Sequence, residues 1–271
     1  MVIVLSFAGF SLICFILLLF VFSVSVFPAF FLSLGIFLLL HLLYILFFWA
    51  VSASVPLDQP IQKQSRLCRL GLIYGAAAIN FYGGIKAHLS GVEKLPSEGR
   101  FLFICNHRSM FDPLIVIDKL RKYNISFVSK PSNMKIPVAG RVVYSVGFLP
   151  IDRENNRNAL KTILTASDYM KRDICSIGIY PEGTRSKTKE MLPFHAGCLK
   201  AAQRASVPIV VACVRGTENA QRMKFLSMTA VSLDILEVIP ADTVCSMKTD
   251  ALSRHIRETI QACLDSTERD T

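Results

Sequence analysis

Between Met1 and Gln62 the 271-residue chain has no lysine or arginine and a single acid, Asp58. So long a stretch without charge cannot form a water-facing surface. It also lacks the basic start and the small-residue stop of a cleaved secretory signal. The eight cysteines, Cys14, Cys68, Cys105, Cys175, Cys198, Cys213, Cys245 and Cys263, include no C-x-x-C pair. Most lie inside apolar runs, so they read as reduced, small hydrophobes of a cytosol-facing domain rather than a disulfide framework. With five histidines and no Cys/His cluster, no metal site is expected, and no cofactor is called for. Internal repeats and low-complexity tracts are absent.

What the front has is hydrophobicity. Val2 to Phe27 and Ala29 to Ala50 are apolar runs separated by Pro28, each long enough to cross a hydrocarbon core of about 30 Å at 1.5 Å per helical residue. They predict two membrane helices in a tight hairpin broken at Pro28, either spanning the bilayer or dipping into one leaflet. All 30 basic residues follow Gln62, against 19 of the 20 acids, and the first are Lys63, Arg66 and Arg69. The positive-inside tendency therefore puts the body on the cytoplasmic face of the cell membrane. From Leu67 to Leu89, Leu67, Leu70, Tyr74, Ala78, Phe81 and Ile85 recur near helical period. This helix either lies along the bilayer surface or is an ordinary core-facing first helix. The expected organisation is a hairpin at 1–51, a connector with an interfacial helix at 52–90, and a folded domain at 91–271.

In that domain Phe101 to Cys105, Ile125 to Ser129, Phe148 to Ile151, Ile174 to Tyr180 and Ile209 to Val214 read as strands. Leu114 to Leu120, the face Leu160, Ile163, Leu164, Ser167 and Met170, Ala196 to Ala205 and Leu252 to Leu264 read as helices. The alternation predicts an α/β fold, a sheet with helices on both faces and functional loops at strand ends.

Three such loops carry chemistry. His107 and Asp112, directly after the first strand, can form a base oriented by a carboxylate, suited to activating a hydroxyl. Asp112 before Pro113 is equally a helix N-cap followed by proline at the first helical position. In Pro181-Glu182-Gly183-Thr184-Arg185-Ser186, an arginine fork and a glycine suit a phosphate. Gly147-Phe148-Leu149-Pro150-Ile151-Asp152-Arg153 brings a further arginine, although Asp152 and Arg153 also fit a solvated surface pair.

These segments, in order with Val207-Pro208-Ile209-Val210, resemble the four blocks of the glycerolipid acyltransferase family, over about Gly91 to Thr217. The likeness is closest to its bacterial-type members that acylate 1-acyl-glycerol 3-phosphate (lysophosphatidate). It implies a mixed sheet flanked by helices, with His107 as general base, oriented by Asp112, for attack of a glycerol hydroxyl on an acyl thioester. It implies that Glu182, Gly183, Thr184, Arg185, Arg153 and Lys130 hold the glycerol phosphate, and that Pro208 shapes the acyl site. The substrates implied are lysophosphatidate and acyl-carrier protein or acyl-CoA, with membrane lipid alongside; neither metal nor cofactor is implied. His195 stands where many members carry lysine, and Pro150 where an aliphatic or aromatic residue is commoner. A basic body beside a hairpin suits an anionic lipid better than nucleic acid, for which no aromatic-interleaved basic motif exists. Rival readings are transfer to another lysolipid or to glycerol 3-phosphate, a thioesterase, and a non-catalytic protein that binds anionic lipid.

Overall fold

The computed structural model describes residues 2–53, 56–57, 59–186, 190–220 and 228–268. Residues 54, 55 and 58 of the expected connector thus lie outside the described residues. The first elements are α1 (Val2–Phe20) and α2 (Val26–Ala53). The hairpin turns at Val21–Ser25, where Ser23 takes φ 53°, and not at Pro28. Pro28 falls in the first turn of α2, where a missing N–H costs nothing. The two helices pack through Phe7, whose ring lies 5.1 Å from His41 and 6.4 Å from Tyr44. Among the described residues α2, with 28 residues, is long and apolar enough to cross a membrane; the described side chains of α1, Ser6–Phe20, make a shorter apolar helix.

Next come α3 (Arg66–Tyr82), β1 (Ile85–Ser90), β2 (Leu102–Cys105), α4 (Phe111–Lys119), β3 (Ile125–Ser129), α5 (Ala139–Ser145), β4 (Leu149–Pro150), α6 (Asn156–Lys171) and β5 (Ser176–Ile179). The chain continues through α7 (Lys200–Ala205), β6 (Ile209–Arg215), α8 (Thr217–Ala220), β7 (Thr229–Ile239), α9 (Ala241–Ser246) and α10 (Thr249–Glu268). The strands form one mixed sheet in the order β1-β7-β6-β2-β5-β3-β4. From β6 to β4 neighbours are parallel; β7 runs antiparallel to β6, and β1 is parallel to β7.

Two-residue periodicity divides the core between the faces of the sheet. Leu102, Ile104, Ile177 and Val211 pack under α6, α7 and α10. Phe101, Phe103, Phe127 and Val210 pack under α3, α4 and α5. Five cysteines, Cys68, Cys105, Cys175, Cys198 and Cys213, are buried in these layers.

The expected helix Leu67 to Leu89 is cut short. Gly83 ends α3, and Ile85–Ser90 pairs along Thr229–Asp234 as an edge strand. Cys68, Ile73, Ala76 and Asn80 face the core, whereas Leu67, Leu70, Phe81 and Tyr82 are exposed. Of the repeat, Leu67, Leu70 and Phe81 form the outward stripe of α3, Tyr74 and Ala78 are half-buried, and a second face packs inward. On α6, Ile163, Ser167 and Met170 are buried, but Leu160 and Leu164 are exposed.

Candidate active site

The expected functional loops leave the carboxyl edge of the parallel strands, and the order β6-β2-β5-β3-β4 sets them side by side. Asn106 fixes where the chain leaves β2. Its Nδ2 donates to Val214 O at 2.9 Å and its Oδ1 accepts Val214 N at 2.8 Å, so the side chain continues the ladder to β6 for one more pair. His107 is the first residue beyond that clamp.

Nδ1 of His107 lies 2.8 Å from Oδ2 of Asp112; the carboxylate is 1% exposed and the imidazole 19%. The same oxygen accepts Arg108 N at 2.7 Å and Ser109 N at 2.8 Å. This corrects the N-cap reading of Asp112. Met110 occupies the cap and α4 starts at Phe111, so Asp112 sits in the first turn and holds the loop upstream. There its negative charge also meets the positive end of the helix. With Nδ1–H donated to the carboxylate, Nε2 is left as an acceptor able to take a proton.

Under the imidazole lies an aromatic stack. Tyr180, at the end of β5, is 4.2 Å from the His107 ring at 15° and 5.4 Å from Phe127 at 8°. Its hydroxyl is buried with no partner among the described residues, and burial pushes its pKa well above the ordinary tyrosine value.

Glu182 laces the second loop to the first. It is 4% exposed; one oxygen accepts His107 N at 2.7 Å and the other Leu192 N at 2.9 Å. Ser186 N in turn donates to His107 O at 3.0 Å. Burial pushes the Glu182 carboxyl up, and the two N–H donors act against that shift.

Gly183 has φ +72°, and a Cβ there would lie 3.1 Å from His195 Cδ2 and 3.7 Å from Arg153 Nε. Gly183, His195 and Arg153 therefore meet at one spot, joining the second and third loops. Thr184, Arg185, Arg153 and Lys130 are exposed. Partial burial lowers the Arg153 pKa from its ordinary value. Lys130 directly follows β3, two strands from β2 in the sheet. Pro150 sits on β4, the edge strand, where the absent N–H is harmless.

Pro208 is not brought to this site. Its carbonyl accepts Leu102 N at the opposite end of β2, about 16 Å from His107 by strand rise. Tyr180 and the clamp of Asn106 escaped the sequence reading. The available signals were an aromatic at the last position of a predicted strand and an amide directly before the proposed base.

Residues 86–215 match the acyltransferase family model. The chain is 28% identical over 196 residues to the 1-acyl-sn-glycerol-3-phosphate acyltransferase of Salmonella typhimurium, covering 72% of this chain and 79% of that one. Identity to the Escherichia coli protein of the same name is also 28%, over 74% of this chain and 80% of the relative. The human 1-acyl-sn-glycerol-3-phosphate acyltransferase beta is 24% identical, over 65% of this chain and 63% of its own. The fold is shared with the crystal structure of the 1-acyl-sn-glycerophosphate (LPA) acyltransferase PlsC from Thermotoga maritima. Their TM-score is 0.59 at 19% identity, covering 84% of this chain and 95% of that one. Fold and matches together define an enzyme that moves an acyl group, with the acyltransferase family match lying at residues 86–215.

Proposed function

We propose that the chain transfers an acyl group from an acyl thioester, acyl-carrier protein or acyl-CoA, to the sn-2 hydroxyl of 1-acyl-glycerol 3-phosphate, giving phosphatidate. The observation that carries this reading is the His107–Asp112 contact of 2.8 Å on a carboxylate oxygen that also accepts two backbone N–H groups. Nε2 of His107 takes the hydroxyl proton as the oxygen attacks the thioester carbonyl. Asp112 keeps the proton on Nδ1 and stabilises the imidazolium that forms. The tetrahedral intermediate then expels the thiolate, which receives the proton from Nε2.

Arg153, Arg185 and Lys130 supply cations for the acceptor phosphate, with Gly183 and Thr184 shaping the turn that meets it. Glu182, expected to touch glycerol phosphate, has both oxygens on backbone N–H donors. Its role in this reading is to brace His107 against the turn. The front, residues 1–51, anchors the enzyme in the membrane; residues 52–90 couple it to the catalytic domain, 91–271, on the cytoplasmic face. The outward stripe of α3 supports this arrangement by offering apolar side chains to lipid.

The test is acylation of 1-acyl-glycerol 3-phosphate against 1-acyl-glycerol, with product analysis. Preference for the phosphorylated acceptor, lost in Arg153→Gln and Arg185→Gln, is expected. Equal use of both acceptors overturns the phosphate roles, and free fatty acid without acylated product overturns transfer.

A further inference from the structure

A second cationic site lies at the other edge of the sheet. There a cavity of about 570 Å³ is lined by Lys63, Arg66, Arg69, Arg100, Arg121 and Arg172, with Asp173 the only acid among the described lining residues. Two of the cations are paired: Arg100 Nε lies 2.7 Å from Asp173, and Arg172 Nη1 lies 3.1 Å from Asp168. Arg69 is 9% exposed and gives one Nη1 hydrogen bond, at 2.9 Å, to Ile125 O, which orients a buried guanidinium at the cavity wall. Lys63, Arg66 and Arg121 have no carboxylate within 4.0 Å among the described residues.

The cavity also receives the start of α3. A helix N-terminus is positive and normally draws acids into its first turn, yet the first turn of α3 holds none and begins with Arg66. The Ser65 hydroxyl accepts Cys68 N at 3.3 Å, and the remaining positive character of the helix end adds to the side-chain charge around the cavity. A phosphate offers the required charge and acceptor oxygens.

Position decides which phosphate. Leu70 and Ile73 form part of the cavity wall, and Leu67 and Leu70 start the outward apolar stripe of α3. That stripe extends along the 17-residue helix, about 25 Å. At the far end of α3, Asn80 Nδ2 donates to Leu114 O in α4, beside the catalytic loop. α2 packs on the same helix through Tyr44 Oη, which donates to Gly71 O at 3.0 Å. An apolar surface with a cationic cavity at one end and the catalytic edge at the other matches a bilayer lying along α3.

We propose that this cavity holds the headgroup phosphate of an anionic phospholipid of the membrane, apart from the acyl acceptor. The inference rests on the reading of residues 1–90 as a membrane-binding unit. Bound there, a resident lipid anchors the amino end of α3 at headgroup depth and sets the catalytic edge on the same surface.

The full chain in neutral detergent micelles provides the test. Its thermal midpoint is measured with short-chain phosphatidylglycerol, phosphatidylcholine or inorganic phosphate. At about ten times its dissociation constant, phosphatidylglycerol raises the midpoint by about 3–6 °C, while phosphatidylcholine does not. The double variant Arg66→Gln/Arg121→Gln binds phosphatidylglycerol about 25-fold more weakly, about fivefold for each cation, and keeps its acyl transfer in neutral micelles. The equal-charge variant Lys248→Gln/Arg254→Gln and the catalytic-edge variant Arg153→Gln keep the rise.

No rise in wild type, a rise unchanged in Arg66→Gln/Arg121→Gln, or an equal loss in Lys248→Gln/Arg254→Gln overturns the site. Inorganic phosphate matching the lipid at equal concentration overturns the headgroup assignment. Loss of the rise in Arg153→Gln reassigns the binding to the catalytic edge. Wild type that binds lipid but acylates nothing counts against the proposed function and leaves the cavity standing.

Discussion

Asp112→Asn separates an orienting carboxylate from a merely structural one. In the wild type Oδ2 accepts His107 Nδ1, Arg108 N and Ser109 N at 2.8, 2.7 and 2.8 Å. Asparagine can place its carbonyl oxygen there and keep all three contacts. Its NH2 then takes the position of Oδ1, which is buried and has no partner among the described residues. A stranded buried donor costs about 1–3 kcal/mol. The flipped amide sets donors against both backbone N–H groups and satisfies His107 only if the imidazole proton moves to Nε2. That tautomer cannot accept a proton from the hydroxyl.

Loss of charge alone weakens the hydrogen bond to the imidazolium by about 1–1.5 kcal/mol, or about tenfold in rate. Loss of the correct tautomer removes a general-base contribution of about 10²–10⁴. Thiol release from the acyl thioester should show kcat reduced about tenfold where the amide keeps the carboxylate's contacts and about 100-fold or more where it flips, with KM for the acceptor moved less than about threefold. A folded Asp112→Asn enzyme with kcat equal to that of wild type refutes the dyad.

Other residues give separate tests. Tyr180→Phe removes a buried hydroxyl that has no partner, so stability should hold or rise by about 1 kcal/mol; Tyr180→Ala removes the platform under His107 and should cost about 3–5 kcal/mol in chemical denaturation. Gly183→Ala forces an alanine to φ +72° with its Cβ 3.1 Å from the His195 ring. The expected cost is about 1–2 kcal/mol, with a raised acceptor KM, and unchanged stability would contradict the reading of the turn. Glu182 has a folded pKa above its ordinary value, so the native state binds the extra proton and stability falls as pH rises through that interval. In denaturation from pH 4 to 7, wild type should lose stability relative to Glu182→Gln, and a difference that does not change with pH would contradict the burial argument.

The candidate loops were legible because each motif follows an apolar run that does form a strand: His107 after β2, Lys130 after β3, Arg153 after β4 and the Glu182 turn after β5. Their convergence was not, since it depends on strand order. Glu182 and His107 are 75 residues apart, and only the β2–β5 pairing sets them together. Pro208 shows the same lesson in reverse, because its block joins β6 to β2 at the edge away from His107. β7 was missed although Val231, Leu233 and Ile235 alternate as a strand should. β1 was absorbed into the preceding helix because Ile85 continued its helical spacing. On α3 the apolar repeat was seen, but periodicity marks a face without saying whether protein or lipid covers it. The core contacts of Cys68, Ile73 and Ala76 leave Leu67, Leu70 and Phe81 pointing outward.

The central claim is that the imidazole of His107 activates an acceptor hydroxyl. Its most direct test is acyl transfer to 1-acyl-glycerol 3-phosphate by purified wild type and His107→Ala, reading phosphatidate. The account predicts phosphatidate from wild type and a loss of about 100-fold or more in a variant of unchanged fold. Phosphatidate formed by His107→Ala at a rate near that of wild type would contradict it.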